Sequence, residues 1–133
     1  MYTGLRFKAK LSDRGREALE VMMARRRSSP EEDSWAGEVQ AILDLPKVWL
    51  EDYRPNFIPY GAVCVGGDDW EHINHVDDDG HWHVCCSLKN YTETIEKFLE
   101  HVLPKMISEP CVAESLYEED HEPRRHEVGP NES

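Results

Sequence analysis

No apolar run in the chain approaches the roughly 20 residues that a membrane-spanning helix needs, so a bilayer span is excluded and a soluble domain is expected. There is no N-terminal apolar stretch of the signal-peptide kind. Nor is there a C-x-x-C pair among the four cysteines, Cys64, Cys85, Cys86 and Cys111. Reduced thiols in a cytoplasm are the simplest expectation. Basic residues are in deficit, with 15 Lys plus Arg against 27 Asp plus Glu and a net charge of −12. That balance argues against broad, phosphate-driven affinity for nucleic acid. No catalytic signature stands out. What is present is enough chain: a domain of 133 residues buries roughly two thirds of its unfolded surface, sufficient for one core without disulfide or metal staples.

The charge is unevenly placed. Residues 1–27 carry eight basic side chains (Arg6, Lys8, Lys10, Arg14, Arg16, Arg25, Arg26 and Arg27) against Asp13, Glu17 and Glu20, a balance of +5 that leaves −17 for residues 28–133. Such a chain can dock a basic partner on its acidic part or pair with itself head to tail. Acidity that only maintains solubility is the plainer alternative.

Residues 2–11 alternate, with Leu5, Phe7, Ala9 and Leu11 on one side and Arg6, Lys8 and Lys10 on the other, the period-two pattern of a half-buried strand. Ser12 is placed to cap a helix carrying Ala18, Leu19, Met22 and Met23 at helical spacing, although Gly15 weakens its first turn. Ser34 opens a second helix with Trp35, Val39, Ile42 and Leu43 on one stripe, which Pro46 ends or bends. Asn56–Val65 reads as an edge or bulged strand because of Pro59 and Gly61. A hairpin follows, from His72–Val76 through the tip Asp77-Asp78-Asp79-Gly80 to His81–Leu88. Asn90 and Glu93 match a capping box before a helix with Ile95, Phe98, Leu99, Val102, Leu103 and Met106 on one face, which Pro104 should kink or stop near residue 103. Cys111–Tyr117 reads as a last strand. From residue 119 to 133 the composition turns polar, and an acidic, disordered tail is expected after a single domain at 1–118.

This order predicts an α+β domain of the ferredoxin-like β-α-β-β-α-β kind, with an antiparallel sheet of four to five strands and helices packed on one face. The other face, carrying Arg6, Lys8, Lys10, His81 and His83, is left for solvent or a partner.

Metal-type ligands crowd only in residues 68–86, DDWEHINHVDDDGHWHVCC. An even hairpin loop would set His72, Asn74 and Val76 on the face of His81, His83 and Cys85. His81 and His83 would stand roughly 7 Å apart, so that His72, His81, His83 and Cys85 form a candidate zinc site. The competing reading is the hydrated side of a sheet with no cofactor, and an odd loop would remove His72. Asp77, Asp78 and Asp79 before Gly80 lack the frame of an EF-hand and read as a turn. Cys85 beside His81 or His83 suggests a thiol nucleophile but has no third group to orient the base. Trp70, flanked by Asp68, Asp69 and Glu71, is a candidate anchor for a protein partner, with Asp77, Asp78 and Asp79 adding acidic surface.

The succession LRFKAKL, FIPYGAVC, DDW, GHWHVCCSLKNY, TIEKFLEHVLP and LYEE resembles small uncharacterised proteins encoded by tailed bacteriophages and prophages, over nearly residues 2–119. The resemblance implies a bacterial cytoplasm and, by analogy, a modulator or inhibitor of a host protein. Three functions are thus in view. One is a non-enzymatic acidic protein that binds a basic partner surface, without direct contact to nucleic acid or membrane. The second is a metal-binding protein or metal-dependent enzyme built on the hairpin, and the third a self-associating module or homodimer.

Overall fold

A computed structural model of the chain describes residues 3–26, 34–45, 73–88, 93–117 and 122–130. In chain order these form β1 (Thr3–Lys10), α1 (Asp13–Arg26), α2 (Ser34–Leu43), β2 (Ile73–Val76), β3 (His81–Leu88), α3 (Thr94–Lys97), β4 (Cys111–Tyr117) and β5 (Arg124–Val128). Helix α3 continues as a π-helical turn over Phe98–Val102 and a 3-10 turn over Leu103–Lys105. The strands make one sheet in the order β2-β3-β1-β4-β5, and every pairing is antiparallel. The domain is therefore α+β. Among the described residues no helix is long and apolar enough to cross a membrane.

The alternation in β1 does what its period requires. Leu5, Phe7 and Ala9 are buried while Lys8 is exposed, and the register carries that parity sideways to Cys86, Val84 and Trp82 of β3 and to Ala113 of β4. Ala18 and Leu19 of α1, Val39 and Leu43 of α2, and Ile95 and Phe98 around α3 join them in one core. At its centre the fully buried Trp82 meets the ring of Phe7 at 5.2 Å and 87° and that of Phe98 at 6.2 Å and 78°. Such edge-on pairs add about 0.5–1.5 kcal/mol each beyond simple burial. The indole N–H donates to Asn74 Oδ1 at 2.7 Å, so the core's largest side chain leaves no polar atom stranded.

Ser12 caps α1 as expected: its Oγ accepts the Gly15 N–H at 3.1 Å. The same hydroxyl lies 3.2 Å from the Met106 carbonyl, which also accepts the Ser12 N–H at 2.8 Å. Gly15 is more than a weak helix former there. A Cβ at that position would stand 2.0 Å from the Met106 oxygen, so the close approach of α1 to the end of the third helical segment requires glycine. Helix α2 stops before Pro46, with Asp44 in the left-handed region at φ 54° and the Leu45 N–H reaching back to Gln40 O at 3.0 Å. Its terminal carbonyls receive cations, Arg14 at Ile42 O (2.6 Å) and Lys105 at Asp44 O (2.6 Å), the favourable sign for a helix C-terminus.

Other expectations are corrected. Glu93 does not sit in the third helical position of a capping box. It stands at the start of α3 with φ 57°, its carbonyl accepting the Lys97 N–H at 2.9 Å. Pro104 shapes what precedes it: the Leu103 N–H bonds to Phe98 O, a π turn, and the proline then opens the 3-10 turn. A proline lacks the N–H and collides with the carbonyl four residues back, so a regular helix cannot run through it. Part of the segment read as a disordered tail is strand β5, paired with β4 from Ser115↔Arg124 to Cys111↔Val128. Its polar composition hid it because only Val128 is buried. The expected strand at 56–65 lies outside the described residues, as do Pro46, Asn90 and His72.

The second sheet face carries Arg6, Lys8 and Lys10 opposite Cys85, His83 and His81, as the alternation implied. It is not bare throughout, because Cys85, Ser87 and Leu116 near Gly4 are buried.

Candidate functional site

Two regions gather polar side chains: the tip of the β2–β3 hairpin and the outer margin of β5. At the tip the register is Ile73↔Cys85, Asn74↔Val84, His75↔His83 and Val76↔Trp82. The loop thus has odd parity. Asn74 and Val76 turn to the core side, and His75 takes the place foreseen for them beside His83. The two imidazoles stack at 4.7 Å and 8°. Cys85 is 6% exposed, so it packs as a small apolar group more than it presents a nucleophile. His72, Trp70, Asp68, Asp69 and Glu71 lie outside the described residues.

Asp77 organises the tip. Its Oδ1 accepts the N–H groups of Asp79 at 3.0 Å and His81 at 2.9 Å, and its Oδ2 lies 2.8 Å from His83 Nε2. Hydrogen bonding from the His83 side chain, then from the His81 backbone, holds its carboxyl well below the ordinary aspartate range, against an opposing cost of desolvation. The Asp77 N–H bonds to His81 O at 2.9 Å, and Gly80, at φ 83°, closes the turn with a bond to Asp77 O at 3.1 Å. The tip is tied to β1: Lys10 Nζ donates to Asp79 O, and Gly80 O accepts the Leu11 N–H at 3.1 Å.

Among the described residues, metal-donor atoms converge within 4.8 Å only for Asp77, Asp79 and His81, a different set from the one expected at His72, His81, His83 and Cys85. His81 Nδ1 is buried without a hydrogen-bond partner, 3.8 Å from Asp77 Oδ1. Three of Asp77's acceptor positions are nonetheless filled by the chain itself, the arrangement of a side chain that closes a turn. Asp78 and Asp79 are exposed.

The second region went unseen in the sequence because residues beyond 119 read as tail. The signal lay in its flanks: Arg124–Val128 stands between Pro123 and Gly129-Pro130, a short run bounded by strand breakers. Strand β5 is the last strand of the described sheet on that side. Between it and the third helical segment lies a cavity of about 250 Å³ lined by Glu96, Leu99, Glu100, His126, Glu127 and Val128. Glu96 and Glu100 line this cavity together with His126, whose Nε2 is engaged at 2.8 Å with Ser115 Oγ. A larger hollow of about 390 Å³ lies at the end of the β4–β5 pair, where Pro110, Cys111, Val112 and Gly129 join Glu127 and Val128. Burial pushes the Cys111 thiol up, which favours its protonated form at neutral pH.

The arrangement can attract a cation and can extend a sheet. Among the described residues, it brings no nucleophile, base and orienting group into contact. No family model matches the chain, and comparison with curated proteins and with solved structures finds no match.

Proposed function

We propose that this chain is a non-enzymatic binding domain that takes a basic segment of a protein partner beside β5, at the cavity lined by Glu96 and Glu100. The observation that carries the reading is the cavity between β5 and the third helical segment, a space of about 250 Å³ lined by Glu96 and Glu100 beside the outermost strand of the described sheet. The −17 balance of residues 28–133 supports it by drawing cationic partners toward that part of the molecule. The antiparallel succession β4-β1-β3-β2, with β5 added beyond β4, supports a ferredoxin-like plan for the domain. The resemblance to tailed-phage proteins supports a bacterial cytoplasm as its setting and a host protein as its target.

The test uses a short alternating Lys/Val peptide and its Glu/Val counterpart, each titrated into the full chain at low and at high salt. Only the Lys peptide should bind, and its affinity should fall steeply as salt screens the carboxylates. Equal binding of both peptides, or binding indifferent to salt, refutes the reading.

A further inference from the structure

Strand β5 carries its own complement. Its sequence, Arg124-Arg125-His126-Glu127-Val128, places two cations at one end and an anion near the other, so an antiparallel copy of the same strand brings opposite charges together. We infer that the segment best fitted to the β5 margin is β5 of a second copy of this chain, giving a two-fold symmetric dimer in which the two sheets, five strands each among the described residues, become one. The inference rests on the reading of that margin as a binding surface and names its occupant.

The register follows from parity and charge. Arg124, His126 and Val128 lie on the helix side, opposite Ser115, Ala113 and Cys111, while Arg125 and Glu127 lie on the other face, opposite Glu114 and Val112. Residues directly opposite across an antiparallel pair share a face. If the helices of both copies cover the same side, only pairings that respect that parity are allowed. Centring the pair on Arg125 sets arginine against arginine, and centring it on Glu127 sets glutamate against glutamate. Centring it on His126 sets Arg125 against the partner's Glu127 and, by symmetry, Glu127 against the partner's Arg125. The same register puts the partner's Arg124 opposite Val128 on the helix side, at the mouth of the cavity lined by Glu96 and Glu100. One geometry thus makes two cross-strand ion pairs and delivers a guanidinium to each acidic cavity. It also covers two strand margins that would otherwise invite less specific pairing.

Sedimentation of the full chain across the micromolar range tests it, with Glu127→Arg and the double variant Arg125→Glu/Glu127→Arg. The wild type should dimerise, with a dimer that weakens at high salt. Glu127→Arg should weaken dimerisation about tenfold or more, because symmetry doubles each new like-charge pair, and the double variant should restore it. Glu127 stands opposite Val112 within its own sheet, so Glu127→Arg leaves the fold intact even if Arg125→Glu, opposite Glu114, does not. A monomer at high micromolar concentration, a dimer indifferent to Glu127→Arg, or assembly that runs on past the dimer overturns the inference. The Lys/Val peptide separates the two claims: a monomeric chain that binds the peptide loses the dimer and keeps the binding domain, whereas a dimer whose variants behave as stated but whose margin never takes the peptide limits that margin to self-association.

Discussion

The two margins of the sheet use the same residue types to opposite ends. At the β2–β3 hairpin, aspartate and histidine bond to one another and to the turn, and the carboxylate of Asp77 accepts three hydrogen bonds from its own chain. Beside β5, Glu96 and Glu100 line a cavity. The difference teaches that an acidic cluster is informative about ligands only after its internal hydrogen bonds have been assigned. A carboxylate held by backbone N–H groups rigidifies a turn, whereas carboxylates that line a cavity raise the local attraction for a cation.

The comparison is broken most severely from below the hairpin. Trp82→Ala should cost about 3–5 kcal/mol in chemical denaturation, since the fully buried ring joins Phe7, Phe98 and Asn74. A small loss would mean that the hairpin is not anchored through the core. Next comes Asp77→Asn. The carboxyl of Asp77 is held below its ordinary value of 3.8, so the ionised group stabilises the fold above that pH, and the contribution is lost as pH falls through the native-state value. The variant should be less stable than the wild type near neutrality, and the gap should narrow in acid. A gap that stays constant to the lowest pH at which the protein folds would remove Asp77 from its role in the turn. The smallest effect is expected from zinc. If the tip is closed by its own hydrogen bonds, added Zn²⁺ should raise the melting temperature by less than about 1 °C. A rise of several degrees, abolished by Asp79→Ala, would turn Asp77, Asp79 and His81 into a metal centre and erase the contrast.

Much of the sheet was legible in the residue order because a buried central strand enforces period two. Leu5, Phe7 and Ala9 in β1, and Trp82, Val84 and Cys86 in β3, face the core as their alternation implied, and β4 occupies the expected Cys111–Tyr117. The hairpin's parity was not legible. Four candidate turn residues fit loops of even or odd length, and only the bonds of Asp77 to Asp79 and His81 set the parity that puts His75 opposite His83. The glycine at 15 looked like a local weakness because its reason, the carbonyl of Met106, lies 91 positions away along the chain. Strand β5 was hidden because an outermost strand buries little: Val128 alone is covered, and Arg124, Arg125 and Glu127 remain exposed. The cavity was invisible for the same reason, since it exists only when β5 is brought beside Glu96 and Glu100.

The contrast between the margins is tested most directly by following backbone amide resonances of the full chain while the Lys/Val peptide is added. The account predicts progressive shifts at residues 124–128 and 96–100, with residues 77–81 unmoved. Shifts concentrated at 77–81, or none at 124–128 under conditions where the peptide binds, would contradict it.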